Sequence, residues 1–255
     1  VKALVDGDLV VFRVSASVKE EDQFDIVIER IDNLLTQIFY NTDAEEHQIY
    51  LTGTGNFRKK VNKEYKANRK DSVPPPYLQD ARKYLVDKYG AIISQGCEAD
   101  DLLGINQTEE TVICSLDKDL MMIPGRHFSW QIGTQTWTKP AKHTTVTQQD
   151  GLRFFYKQLL IGDSTDNIIG VQGIGTKTAD KLIEHLDDEQ DMLNVVLEKY
   201  KYDFNRFVMN CQCLWIQRKE NEFWTTQMLN QKKDLISSDQ SLLDAVQKYD
   251  SMTSS

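Results

Sequence analysis

The sequence predicts an α/β fold, a parallel central sheet flanked by helices, with a helical C-terminal part appended. Three observations predict it. Short apolar runs alternate with helical patterns over the first 146 residues, as crossover-connected parallel strands require. Three of those runs stop at or shortly before acidic residues, where open parallel sheets place their ligands. After about Val146 the apolar spacing is helical only.

The elements follow in order. Residues 2–5 (KALV) read as a short buried strand ending at Asp6. Residues 24–40 carry Phe24, Ile28, Ile31, Leu35 and Ile38 at helical spacing. A second strand, 47–51, runs into Thr52-Gly53-Thr54-Gly55, and a basic segment follows. The triple proline 74–76 introduces a helix at about 77–89, because proline suits a first helical turn. Residues 91–94 form a third strand, and a helix opens at Glu98. Residues 111–116 (TVICSL) form a fourth strand, followed by Asp117 to Met122. Residues 128–132 and 135–138 read as a small hairpin around Gly133-Thr134. Helices are expected at 148–161, 176–186, 190–200 and 204–219, and the final SMTSS as a frayed end. Trp215 and Trp224 read as packing residues, and the helices after about 186 carry no legible motif.

A chain of 255 residues makes one large domain or two small ones, and 40% hydrophobic residues suffice for a core. The division expected is 1–146, including the basic segment at about 56–72, and 147–255. No apolar run approaches the ~18 residues of a membrane span. VKALVDGD enters a strand directly, so the expectation is no signal peptide, and the absent initiator Met points to processing or trimming. Cys97, Cys114, Cys211 and Cys213 match no zinc pattern and read as reduced, mostly buried thiols of an intracellular, cytoplasmic protein.

Eight carboxylates carry the chemistry: Asp6 in LVDGD, Glu98, Asp100 and Asp101 in EADD, Asp117 and Asp119 in SLDKD, and Asp163 and Asp166 in IGDSTD. Like charges brought close either protonate or take cations between them. Hard oxygen donors with few His or Cys favour Mg²⁺ or Mn²⁺ over zinc. Two such ions about 3.5–4 Å apart make a phosphodiester-cutting site. The competing explanation for any one cluster is helix capping, since Asp and Glu favour N-caps and first turns.

The net charge of −9 looks wrong for a nucleic-acid binder, yet cations on eight carboxylates would leave only −1. Residues 58–70, RKKVNKEYKANRK, carry seven Lys or Arg and one Glu, and local field governs phosphate capture. On a helix Arg58, Asn62 and Tyr65 would share one face, and Lys59, Lys63, Lys66 and Lys70 another. The segment is either a solvated basic face or an arm that threads a single strand by stacking and phosphate contact. Gly170, Gly173 and Gly175, followed by Thr176-Lys177-Thr178-Ala179, form a glycine-rich turn opening a helix, where backbone can approach a phosphate. No strand leads into it, so it is no dinucleotide fingerprint. It reads as a helix–turn–helix gripping duplex phosphates without base readout, or as a plain tight turn.

With these residues assembled, the sequence resembles the flap endonuclease family of structure-specific 5′ nucleases, which includes bacteriophage 5′–3′ exonucleases and the 5′ nuclease domain of bacterial DNA polymerase I. The matching stretches are VDGD, NFRKKVNKEYKANRK, EADDLLG, SLDKDL and IGDSTDNIIGVQGIGTKTADKLI, covering about residues 3–186 in order. The resemblance implies a PIN-like nuclease core, a helical arch and a helix-3-turn-helix module at about 160–186. It implies that Asp6, Glu98, Asp100, Asp117 and Asp119 surround a first metal and Asp163, Asp166 and Asp119 a second, with Asp101 beside them. It makes Lys66 and Arg69 catalytic, at the scissile phosphate, together with Asp6, Asp100 and Asp119 among the ligands. Gly170, Val171 and Ile174 would hold a K⁺ ion. DNA contacts would come from Arg58, Lys59, Lys63, Tyr65, Lys66, Arg69, Lys70, Gly173, Gly175, Thr176, Lys177 and Thr178.

One departure stands out. The family places an Asp at the end of the second strand, where this sequence has Gly53 in YLTGTGNFR. The expected function is a metal-dependent 5′–3′ exonuclease or flap endonuclease on DNA with 5′ flaps, nicks or free 5′ ends, acting as a monomer away from membranes. Two other readings stay open: a PIN-type ribonuclease or nuclease of RNA–DNA hybrids, and a DNA-junction binder impaired by Gly53.

Overall fold

The computed structural model describes residues 1–133 and 136–253. The elements along the first half are β1 (Lys2–Asp6), α1 (Gly7–Ser15), α2 (Phe24–Thr42), β2 (Glu46–Thr54), α3 (Arg58–Val61), α4 (Leu78–Tyr89), β3 (Ile92–Gln95), α5 (Ala99–Asn106) and β4 (Thr111–Cys114). They continue with β5 (Gly125–Ser129), β6 (Ile132–Gly133), β7 (Thr138–Lys139), β8 (Lys142–Val146), α6 (Gln148–Ile161), β9 (Gly162–Asp163) and β10 (Ile168–Ile169). The last are α7 (Thr176–Ile183), α8 (Glu189–Lys199), α9 (Phe204–Leu214), α10 (Trp224–Asn230) and α11 (Gln240–Thr253). The chain divides into two compact units, 1–55 with 72–146, and 56–71 with 147–255. The basic segment thus belongs with the second unit, where the sequence reading set it in the first.

The first unit is built on a six-stranded mixed sheet of order β3-β2-β1-β4-β5-β8, parallel except for β8. β1 is buried on both faces, hence its unbroken apolar run. Ala3 and Val5 face a core shared with Ile49, Leu51, Val112 and the inner residues of α1, α2 and α4. On α2 the buried stripe is Val27, Ile31, Leu35 and Ile38, so Val27 takes the place the spacing gave to Ile28. Helix α4 closes on Gly90 in the left-handed conformation, which relieves the last carbonyls without a Cβ penalty. No disulfide forms among the described residues, and Cys114, Cys211 and Cys213 are buried.

Two features of this unit differ from the sequence reading. Helix α1 has no counterpart in the sequence reading: its valines lower helix propensity, and burial of Val10, Val11 and Val14 overrides that. Phe128 lies in β5, a fifth parallel strand of the main sheet, while the small hairpin is β6 with β7. Its turn at 134–135 lies outside the described residues, as does the end at 254–255.

The second unit is helical, with a core of Phe155, Leu159, Leu160, Leu193, Val196, Phe207, Trp215 and Trp224. Trp215 meets Phe155 edge-on at 5.1 Å, and Trp224 meets Phe207 at 5.6 Å, as their packing role requires. Strands do not stop at Val146: β9 and β10 pair antiparallel within this unit. Helix α9 ends at Leu214, short of the expected 219. The basic segment is no continuous helix. One turn, Arg58–Val61, is broken by extended Asn62 and followed by a 3₁₀ turn, Ala67–Arg69. No helix among the described residues is long and apolar enough to cross a membrane.

Candidate functional site

Parallel strands put their carboxyl ends on one edge of a sheet, and in the first unit that edge is acidic. Asp6 is the last residue of β1, Glu98 and Asp100 follow β3, and Asp117 and Asp119 follow β4. Asp6 caps α1 by accepting the Leu9 amide at 3.1 Å on Oδ1. Its other oxygen accepts the Ser115 hydroxyl at 2.7 Å, and Ser115 Oγ in turn accepts the Asp117 amide at 2.9 Å. Asp117 Oδ1 accepts the Asp119 amide at 2.8 Å. One hydrogen-bonded chain thus links the ends of two adjacent strands.

Burial pushes the Asp6 carboxyl up to about 7, helped by the charges of Asp8 and Asp117, while its two hydrogen bonds pull the other way. Asp8, the second acid of VDGD, has a structural role. It accepts the Thr52 amide at 2.8 Å and pairs with Arg82, which also reaches the Thr52 carbonyl. Thr52 Oγ1 accepts the Ala99 amide at 3.0 Å, fixing the start of α5 against β2. Gly7 is required here: a Cβ would stand 2.7 Å from the Tyr50 carbonyl. Ser115, Thr52 and Arg82 were not singled out in the sequence. The S-x-D spacing at 115–117 was the only signal present.

Glu98 and Asp101 form a capping box at the start of α5, with the Glu98 amide donating to Asp101 at 3.0 Å. Asp101 is fully buried, and its carboxylate holds the helix start. Asp100 is half-buried in the first turn of the same helix. Gly53, the position of the missing Asp, lies hard against β3. A Cβ there would stand 2.0 Å from the Ser94 carbonyl oxygen, and the Gly53 amide donates to Ser94 Oγ at 3.0 Å. The pairing of β2 with β3 shifts register between Leu51 and Thr54.

In the second unit Asp163 and Asp166 flank the turn between β9 and β10. Asp163 Oδ1 accepts the Thr165 and Asp166 amides at 2.8 and 3.3 Å. Asp166 is held by the basic segment. Arg69 donates to its Oδ1 at 2.7 Å, the Tyr65 hydroxyl to its Oδ2 at 2.7 Å, and Lys66 Nζ stands 3.5 Å from Oδ2. The Lys66 amide donates to the Asp166 carbonyl at 2.9 Å, and Lys66 adopts a left-handed backbone, φ 56°. Asn68 donates to the Ser164 carbonyl, and Asn167 to that of Glu64, both at 2.8 Å.

Two residues expected to contact DNA are buried. Tyr65 is buried, its hydroxyl on Asp166, so its ring is not open for stacking. Arg58 is 2% exposed and donates to the Cys213 and Trp215 carbonyls at 2.8 and 2.7 Å, so it ties the basic segment to α9. Lys59, Lys63, Arg69 and Lys70 are exposed.

The glycines of the turn divide by role. A Cβ on Gly170 would stand 2.4 Å from the Gly162 amide nitrogen, so this glycine serves the β9–β10 approach. Gly173 (φ 81°) and Gly175 have open space where a Cβ would be, and with Thr176, Lys177 and Thr178 they are exposed. Val171 donates its amide to Leu160 at 2.8 Å and accepts that of Ile174 at 3.1 Å.

The donors fit a hard cation in kind, being all oxygen. They are not gathered into a cage: among the described residues no three His, Cys, Asp or Glu stand together as a metal-binding group.

No family model matches the chain. It is 27% identical over 192 residues to flap endonuclease Xni of Shewanella baltica, covering 71% of this chain and 73% of that protein. It is 33% identical over 164 residues to DNA polymerase I of Rhizobium leguminosarum, which is 56% of this chain but 15% of the polymerase. The fold is that of the bacteriophage T5 flap endonuclease, solved as a complex with DNA and metal ions, with a TM-score of 0.60, 17% identity, and 100% and 99% of the two chains covered. Sequence likeness over most of its length and likeness of fold agree: the chain is similar in sequence to bacterial flap endonucleases and a 5′–3′ exonuclease, and it has the fold of the phage flap endonuclease.

Proposed function

We propose that this protein is a divalent-metal-dependent nuclease that hydrolyses DNA phosphodiesters near free 5′ ends or at 5′-flap junctions. The observation that carries the reading is the acidic edge of the first unit, where β1 ends in Asp6 and carboxylates closely follow β3 and β4. In that unit Asp6, Glu98, Asp100, Asp117 and Asp119 would hold one ion. In the second unit Asp163 and Asp166 offer donors for another. Bound Mg²⁺ or Mn²⁺ supplies a lowered pKa for attacking water and charge neutralisation at phosphate. Asp101 and Ser115 position the ligands beside them. Lys66 and Arg69 add positive charge at the phosphate when they leave Asp166.

Lys59, Lys63 and Lys70, with Gly173, Gly175, Thr176, Lys177 and Thr178, would hold the nucleic-acid backbone, so binding is independent of sequence and sensitive to salt. The K⁺ site rests on the carbonyls of Gly170, Val171 and Ile174, and a monomeric state and cleavage of RNA–DNA hybrids belong to the same proposal. Phosphate grip alone does not distinguish the sugar unless a 2′-hydroxyl is read.

The test is incubation with 5′-flap DNA and the matching hybrid in Mg²⁺, Mn²⁺ and EDTA, with products mapped. Metal-dependent cuts near the junction or the 5′ end, abolished in Asp119→Asn, are expected. Binding without cleavage in either metal would favour the impaired junction binder, with Gly53 as its cause.

A further inference from the structure

Beside the glycine-rich turn, within the second unit, lies a cavity of about 570 Å³ lined by Ile161, Ser164, Asn167, Gly170, Gln172 and Arg206. Arg206 sits in the first turn of α9, outside every motif found in the sequence, and supplies the cavity's cationic side chain. Its guanidinium lies over the Tyr200 ring, 4.8 Å from the centroid, and one Nη reaches the Gly170 carbonyl at 3.4 Å. Its Nε is buried with no acceptor, and among the described residues no carboxylate pairs with it. An arginine kept for structure alone is usually neutralised or fully bonded.

The platform beneath it is rigid. Tyr200 is buried and donates its hydroxyl to the Leu159 carbonyl at 2.7 Å. Asn210 donates both to that hydroxyl and to the Ile169 carbonyl, each at 2.9 Å, tying α9 to β10. Stacking on a fixed ring pre-organises a guanidinium, and its planar fork suits phosphate.

We propose that Arg206 is a ligand for a backbone phosphate of duplex DNA, held at the mouth of this cavity beside residues 170–172 of the glycine-rich turn. The proposal rests on the nuclease reading and adds to it a contact point on the duplex side. Cation, open backbone and cavity then meet one anionic strand, whereas a neutral ligand would leave the guanidinium without a counter-charge.

The test is equilibrium binding of a 5′-flap duplex, and of a single strand of the same length, in EDTA across a salt series. Arg206→Ala is expected to lower the slope of log K against log salt for the duplex by about 0.9, the share of one phosphate contact, and to leave the slope for the single strand unchanged. Arg206→Lys should restore most of that slope. Should Arg206→Ala unfold, Arg206→Gln carries the same test, since it keeps a donor for the Gly170 carbonyl without the charge. An unchanged duplex slope in a folded variant, or unfolding of both neutral variants, overturns the proposal. Failure of the wild-type protein to bind or cut DNA at all would instead overturn the nuclease reading.

Discussion

The Arg69 guanidinium donates to Oδ1 of Asp166 across 2.7 Å, so a side chain expected at the phosphate and one expected at a metal neutralise each other. Arg69 is about half exposed, and such pairs contribute only about 0.2–1 kcal/mol to stability. The pair is therefore easily exchanged: a divalent ion bound at Asp166, as proposed, would compete for the same oxygens that Arg69, Tyr65 and Lys66 hold.

Arg69→Ala should separate two effects. Cleavage at saturating Mg²⁺ should fall by about 10²-fold, the usual cost of losing one charge-stabilising donor. The Mg²⁺ concentration giving half the maximal rate should fall as well, because a competitor for Asp166 is gone. Metal titrations of single-turnover cleavage read both quantities. A half-saturating Mg²⁺ concentration that rises in the variant contradicts the exchange.

Gly53→Asp should not repair a metal site. Its Cβ would collide with the backbone oxygen of Ser94, and backbone cannot swing aside as a long side chain can. The variant, and Gly53→Ala alike, should lose about 1–3 kcal/mol, the cost of overpacking, in chemical denaturation. Activity should not rise at any metal concentration. A stable Gly53→Asp protein with tighter Mg²⁺ dependence would show that β3 yields and that the aligned carboxylate had simply been lost.

The positions of the acids were legible because sheet geometry does the work: strand ends are set by where apolar runs stop, and Asp6, Glu98 and Asp117 stand at those stops. The contacts were not legible, because they join residues far apart in sequence. Asp6 with Ser115 and Tyr65 with Asp166 are each separated by about a hundred positions. Helical spacing also misled at 58–70, where basic residues at regular intervals looked like one amphipathic face. Extended Asn62 and left-handed Lys66 break that face, and the tertiary bonds of Arg58 decide the path. The valines of α1 hid a helix for the opposite reason, since burial outweighed local preference.

Arg58 and its neighbours Lys63 and Lys70 should part company on mutation. Arg58→Ala leaves the Cys213 and Trp215 carbonyls without their charged donor inside the second unit, and should cost about 1.5–3 kcal/mol per lost bond at most. Lys63→Ala and Lys70→Ala, at exposed positions, should change stability by less than about 0.5 kcal/mol and lower the salt dependence of DNA binding. Denaturation and binding curves on the three variants check this. Equal stability in all three would mean that the Arg58 bonds contribute nothing.

His127 sets a pH dependence in the first unit. It is buried in β5 with Nε2 at 2.7 Å from the Ile123 carbonyl. Burial lowers its pKa below the ordinary 6.5, and the carbonyl contact only partly offsets this. Below about pH 6.5 the unfolded chain takes up a proton that the folded one refuses, so the folded state gives up stability as pH falls toward the native value. Above that range the contribution is complete and flat. His127→Gln keeps a donor for Ile123 but cannot titrate. The melting temperature of the wild type relative to this variant should therefore be constant from pH 8 to 7 and decline steadily from pH 6.5 to 5. A difference that stays flat across the whole range would mean that His127 is protonated as readily in the sheet as in the unfolded chain.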